Sequence, residues 1–226
     1  MIKPGTVITY LEMCQEESGH PLQRGMNFHL GGSYSVILMS VRPGAPYADK
    51  IEKEGKIIIY EGHDELGKKD GAPSKKLDQP LSTTTGKLTQ NGLFLQTVLG
   101  YKSGKANPEL VRVYEKITRG VWVYNGAFKL LDGWPEISQQ RIVYKFKLEV
   151  TDEAVDNVVS DELDHNRIIP TAIKVEVWKR DHGRCVICGE KDNLHFDHII
   201  PFSKGGSSLV ASNIQLLCAR HNLNKH

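Results

Sequence analysis

Short runs of β-branched and aromatic residues recur along the first 150 residues, each closed by Gly, Pro, Asp or Asn. GSYSVILMSV, GKIIIYEG, LFLQTVLGY, GVWVYNG and RIVYKFKLEV read as strands. NPELVRVYEKITRG interrupts them and reads as a helix. This mixture predicts a β-rich domain over residues 1–150, built on a barrel-like or strongly curved sheet. Polar TDEAVDNVVSDELDHN comes next, and residues 151–170 read as an acidic linker closed by Ile169-Pro170. TAIKVEVWKRDHGRC then reads as a helix opening a second domain, 171–226, with Thr171 as N-cap and Gly183 as stop. Trp178 is expected to pack between that helix and the rest of the second domain.

Composition sets outer limits. A chain of 226 residues, 39% of them hydrophobic, suits one or two ordinary soluble domains. No apolar run approaches the ~18 residues of a membrane span, and MIKPGTVITYLEMC lacks the apolar core of a signal peptide. No membrane partner is expected. Three of the four cysteines cluster near the C-terminal end, and Cys14 reads as a small buried hydrophobe. That usage fits a reducing compartment, so a cytoplasmic location is expected.

A net charge of +2 is too weak to argue for nucleic acid, but its distribution is uneven. Residues 151–170 hold six acidic residues against one Arg, and 171–226 hold eight Lys and Arg against five acidic residues. An acidic connector thus separates two mildly basic domains.

Chemistry concentrates between Arg184 and His226. Cys185 and Cys188 form one C-x-x-C pair, and Cys218 and His221 a C-x-x-H pair. Together they supply the four ligands of a closed, tetrahedral structural Zn²⁺ site. Asp197-His198 lies between the pairs and cannot share that site, and Asn222 comes directly after the last ligand. The economical reading is two metals: the structural zinc, and a catalytic ion on oxygen ligands beside a histidine base. A purely structural zinc ribbon is the alternative, and it needs neither Asp197-His198 nor the asparagines.

This constellation resembles the HNH, or ββα-metal, nuclease family. The resemblance implies a β-hairpin carrying Asp197-His198 and a following helix carrying the last ligand. It makes His198 the general base, Asp197 and Asn222 ligands of a catalytic Mg²⁺ or Mn²⁺, and Asn213 the residue that orients loop and base. Asn222 stands where many members have His, and an amide oxygen suits a hard cation. His195 is expected to support the hairpin.

HLGGSYSVILMS, PYADKIEKEGKIIIYEGHDE, DQPLSTTTGKLTQNGLF and VRVYEKITRGVWVYNGAFKLLDGW occur in that order. Together they look like an SRA (YDG) domain, a PUA-like β-barrel, and the whole chain resembles SRA–HNH modification-dependent restriction endonucleases. The fold class implied is α+β. The partner implied is double-stranded DNA containing 5-methylcytosine or 5-hydroxymethylcytosine, bound by flipping the base. Tyr47 and Tyr60 would stack on the base, with Asp49, or alternatively Glu61 or Asp64, accepting from cytosine N4. Arg24, Lys87, Gln90 and Asn91 would contact DNA from two loops, and Lys75, Lys76, Lys102, Lys105, Lys225 and His226 are candidate phosphate contacts. Since one HNH site cuts one strand, a homodimer is expected for a double-strand break. The other readings are a modified-DNA reader with an inactive HNH clamp, and an unselective nicking nuclease with a PUA-like nucleic-acid-binding domain, including one that binds RNA.

Overall fold

The computed structural model describes residues 2–17, 19, 21–22, 25–30, 32, 34–64, 74–151, 168–201 and 204–224. Arg24, Lys225, His226 and most of the acidic linker lie outside them. The architecture is α+β. Three long antiparallel strands form the middle of a large sheet: β6 (Glu109–Thr118), β7 (Val121–Ser138) and β8 (Arg141–Val150). Beside β6 lie β3 (Ser35–Met39), parallel to it, and then β2 (Met26–Asn27). Beside β8 lie β5 (Ile57–Glu61) and β4 (Lys50–Glu52). A short β1 (Val7–Ile8) pairs with β7.

The expected curvature is present. β3 and β5 are separated in the sheet by three strands, yet their side chains share one buried cluster containing Ile37, Met39, Ile58 and Tyr60. Asp49 fastens the two edges together. Its carboxylate accepts from the Ser40 N–H at 3.1 Å and from the Glu61 N–H at 3.0 Å. The Tyr60 hydroxyl adds a 3.4 Å contact to the Leu38 carbonyl.

Two elements differ from the sequence reading. LFLQTVLGY lies inside a helix, α2 (Gln90–Lys102), capped by the Thr89 hydroxyl, which accepts from the Gly92 N–H. Asn91, Phe94 and Val98 are buried in it at three- and four-residue intervals, which is helical spacing. NPELVRVYEKITRG contains strand β6 rather than a helix. Its charged residues mimic a polar helix face, but Arg112 and Glu115 are buried in the sheet and paired with Glu17 and Lys174. On the other face of the sheet, helix α1 (Tyr10–Glu17) begins with a capping box between Thr9 and Glu12. It covers a cluster that includes Cys14, Val36 and Tyr124, so Cys14 is the buried hydrophobe expected.

The second unit is helix α3 (Thr171–Arg180), a hairpin of β9 (Leu194–His198) and β10 (Ile214–Cys218), and helix α4 (Ala219–Leu223). Pro170, rather than Thr171, is the capping residue of α3, and Thr171 is its first helical position. Gly183 does come just after the helix. Its φ is +59°, and a Cβ there would meet the Trp178 ring at 2.7 Å. Trp178 packs against a cluster holding Phe196, Leu216 and Cys185. Among the described residues no helix is long and apolar enough to cross a membrane.

Candidate active site and metal centre

Hairpin and helix bring the four soft ligands together. Cys185 and Cys188 sit on a tight turn in which the Gly189 N–H donates to the Cys185 carbonyl at 2.8 Å. Cys218 ends β10, and His221 lies on α4, which starts at the next residue. All four ligand atoms lie within 4.8 Å of one another. Cys188 and Cys218 sulfurs are 3.8 Å apart, and His221 Nδ1 is 3.4 Å and 3.3 Å from the sulfurs of Cys185 and Cys218. A tetrahedron with Zn–S bonds of ~2.3 Å has S–S edges of about 3.8 Å. The donor set and its spacing therefore suit a zinc ion. Burial pushes the Cys185 thiol up, but the backbone amides of Cys218, Cys188 and Ile187 and the His221 ring outweigh it, bringing it down to about 6. A thiol so poised is ready to bind metal as thiolate.

Asp197 and His198 end β9, both buried. His198 Nε2 is 2.8 Å from the hydroxyl of buried Ser208, a residue the sequence reading missed. Asn213 ties the intervening loop. Its Oδ1 accepts from the Ile200 N–H, and its Nδ2 donates to the Ile200 and Ser207 carbonyls. Gln215, paired with Asp197 across the hairpin, places its amide 3.4 Å from the Asp197 carboxylate. Arg180 steadies the turn from α3, donating to the Ala211 and Ile214 carbonyls at 2.7 Å each.

Asn222 is half-buried on α4, which packs against both β9 and β10. Successive helical residues point about 100° apart, so Asn222 diverges from the cysteine cluster that its neighbour His221 joins. Asp197 and Asn222 offer oxygen donors, the type a hard divalent cation takes. His195 Nδ1 lies 3.2 Å from the Thr6 hydroxyl, so its ring is engaged by the N-terminal segment. Burial, and then Lys3, hold its pKa below the ordinary imidazole value.

The candidate base-binding residues gather at one end of β4 and β5. Tyr60 is fully buried, its hydroxyl 3.1 Å from His63 Nε2. The half-buried Tyr47 lies parallel to the His63 ring, centroids 5.5 Å apart, with the Lys75 ammonium 3.7 Å over its ring. Lys75 also pairs with Asp64 at 2.8 Å. Glu61 is paired with Lys145 at 2.8 Å and lies 3.5 Å from Arg141. Asp49 holds the sheet edges, and burial pushes its carboxyl up to about 7 against the pull of the Glu61 and Ser40 amides. A cleft of about 890 Å³ between β4 and α3 is lined by Asp49, with Arg42, Glu52, Thr171 and Lys179, but not by Tyr47, Tyr60 or Glu61.

The expected DNA contacts separate. Lys87 is exposed on a turn closed by the Thr83 N–H donating to its carbonyl. Gln90 accepts from the Phe28 N–H at 2.8 Å. Asn91 corrects the sequence reading. It is buried, and its amide braces the His63 backbone and Pro80 carbonyl from within, so it presents no surface to DNA.

Comparison with curated proteins gives no match. Among solved structures, the modification-dependent TagI restriction endonuclease is 19% identical, over 98% of this chain and 76% of that one, with a TM-score of 0.43. The SUVH5 SRA domain in complex with hemi-methylated CG DNA is 22% identical, over 66% of this chain and 88% of that one, with a TM-score of 0.45. KRYPTONITE in complex with mCHH DNA is 18% identical, over 72% of this chain and 34% of that one, also at 0.45. The HNH endonuclease family model matches residues 185–226, and the unit built around the cysteine cluster and His198 is of HNH type.

Proposed function

We propose that the chain is an endonuclease that recognises modified cytosine in double-stranded DNA and hydrolyses a phosphodiester with its HNH unit. The observation that carries the nuclease half is Asp197-His198 at the end of a zinc-type hairpin, with the imidazole anchored on Ser208. His198 takes the proton from the attacking water, as an imidazole near neutral pH can. Asp197 and Asn222 would hold Mg²⁺ or Mn²⁺, which when bound neutralises the phosphate and stabilises the leaving oxygen. The three cysteines and His221 would hold Zn²⁺ as a structural ion, because a unit this small buries too little apolar surface to fold well alone.

The recognition half rests on the SRA-like sequence and on the aromatic and polar cluster at the end of β4 and β5. A flipped base stacks on Tyr47 by displacing Lys75 or the His63 ring from its faces. The neutral form of Asp49, favoured by burial, and Glu61 remain the candidates for reading cytosine N4. One HNH site cuts one strand, so a double-strand break takes two copies of the chain.

Digestion of matched duplexes that differ only in cytosine, 5-methylcytosine or 5-hydroxymethylcytosine, with Mg²⁺ and with Mn²⁺, tests the proposal. Cutting confined to modified DNA is expected. Equal cutting of all three removes the recognition half, and no cutting of any by zinc-loaded protein removes the nuclease half.

A further inference from the structure

We infer that the two units act as one rigid body, so that the interface between them, rather than the length of the acidic connector, sets the distance from modified base to cut. The inference rests on the function proposed above and concerns how its two sites are held in register.

Three independent features join the units. The first is the N-terminal segment. The Gly5 N–H donates to the Tyr124 carbonyl and the Tyr124 N–H to the Thr6 carbonyl, at 2.8 and 2.9 Å, tying it to β7. On its other edge the Phe196 N–H donates to the Gly5 carbonyl at 2.9 Å, and Thr6 bridges to His195. One stretch of chain therefore hydrogen-bonds both the large sheet and strand β9, which carries His198. Gly5 has φ +88°, and a Cβ there would stand 2.8 Å from the Phe196 carbonyl oxygen, so the approach is possible only for glycine.

The second feature is a buried polar cluster. Glu115 on β6 is 0% exposed and pairs with Lys174 of α3 at 2.6 Å. The Thr171 hydroxyl donates to the same carboxylate, and Asn125 on β7 contacts both members of the pair. Such a pair adds little net adhesion, but it tolerates one arrangement only and so fixes register. The third feature supplies the adhesion: Ile117 and Val123 of the large sheet share one apolar cluster with Val177, Phe196, Ile214 and Leu216 of the HNH unit.

A connector acting as a tether would let the cut wander as its length grows. A rigid body would not. The test inserts ten Gly and Ser residues and a protease site between Asp156 and Asn157 in the full chain. Cuts are mapped at nucleotide resolution on a duplex with one modified cytosine. The lengthened chain is expected to cut at the same positions as its parent. After proteolysis of the connector, the two fragments are expected to co-elute in gel filtration at the size of the uncleaved chain. Cuts that spread outward with length, or fragments that separate, would overturn the inference. Co-elution is read without any activity. Loss of modification dependence in the parent chain would therefore strike the proposed function while the rigid coupling is still decided.

Discussion

Ser208 gives His198 a fixed ring orientation through a buried 2.8 Å contact, and this separates two kinds of substitution. His198→Ala removes the proposed base and should lower the cleavage rate by about 10²–10⁴-fold. Zinc content, measured by elemental analysis, should not change. Ser208→Ala leaves the base in place but unanchored, and a loss of roughly tenfold or more is expected. Unaltered cutting by His198→Ala would reassign the base. Asp49 gives a pH signature. Its carboxyl is raised to about 7, chiefly by burial, whereas in the unfolded chain it titrates near 3.9. The folded state therefore holds a proton that the unfolded state releases. The stabilisation is full below about 4 and is lost as pH rises towards 7. In zinc-saturated buffer the contribution of Asp49 to the denaturation midpoint should fall from pH 5.5 to 7 and then level off. Asp49→Asn, which cannot titrate, should flatten that slope. A pH dependence over this range that is the same in Asp49→Asn as in the parent chain would mean that the Ser40 and Glu61 amides win and Asp49 is ionised throughout.

At the level of elements, the HNH hairpin is held by contacts that a single methyl group would break. Gly206 lies in the loop between β9 and β10, where a Cβ would come 1.8 Å from the Ile200 carbonyl oxygen and 2.8 Å from Asn213 Nδ2. Gly206→Ala must displace the loop that Asn213 organises. Its cleavage should fall at least tenfold with binding to modified DNA retained, as a filter-binding assay run beside digestion would show. Chelation acts on the same hairpin from the other side. Removing zinc should unfold the unit and release one ion per chain, since the metal supplies folding energy to such small units. The HNH constellation was legible in the sequence because its ligands and base are close along the chain and of rare types. Ser208 was not, because a serine in a polar loop carries no signal of what its hydroxyl meets. The exchange of helix and strand at α2 and β6 has a related cause. Leu93 to Tyr101 is apolar enough to suit either element. Glu115 and Arg112 look solvated until partners far along the chain, Lys174 and Glu17, are brought to them.

Across the whole molecule, the sequence suggested two units separated by an acidic stretch, and its local charge pattern could not show that they share a core. The joint depends on contacts such as Thr6 to His195, 189 residues apart, which no local pattern reports. The Glu115–Lys174 pair lies at that joint, and its energetics and its geometry make different demands. Burial pulls the Lys174 pKa down while Glu115 holds it up, so removal of either partner strands a charge out of water. Lys174→Met alone should destabilise the protein by about 3–5 kcal/mol, as losses of one member of a buried pair do. Replacing both, Glu115→Leu with Lys174→Met, removes the stranded charge and should recover much of that loss, because apolar substitutes of similar volume are often neutral. A double-mutant cycle by chemical denaturation measures the difference. If the pair served adhesion alone, the double variant would also cut at the parental positions. If it fixes register, the double variant will be stable yet will scatter its cuts over neighbouring nucleotides, since an apolar contact can slide where a four-way hydrogen-bonded charge cluster cannot.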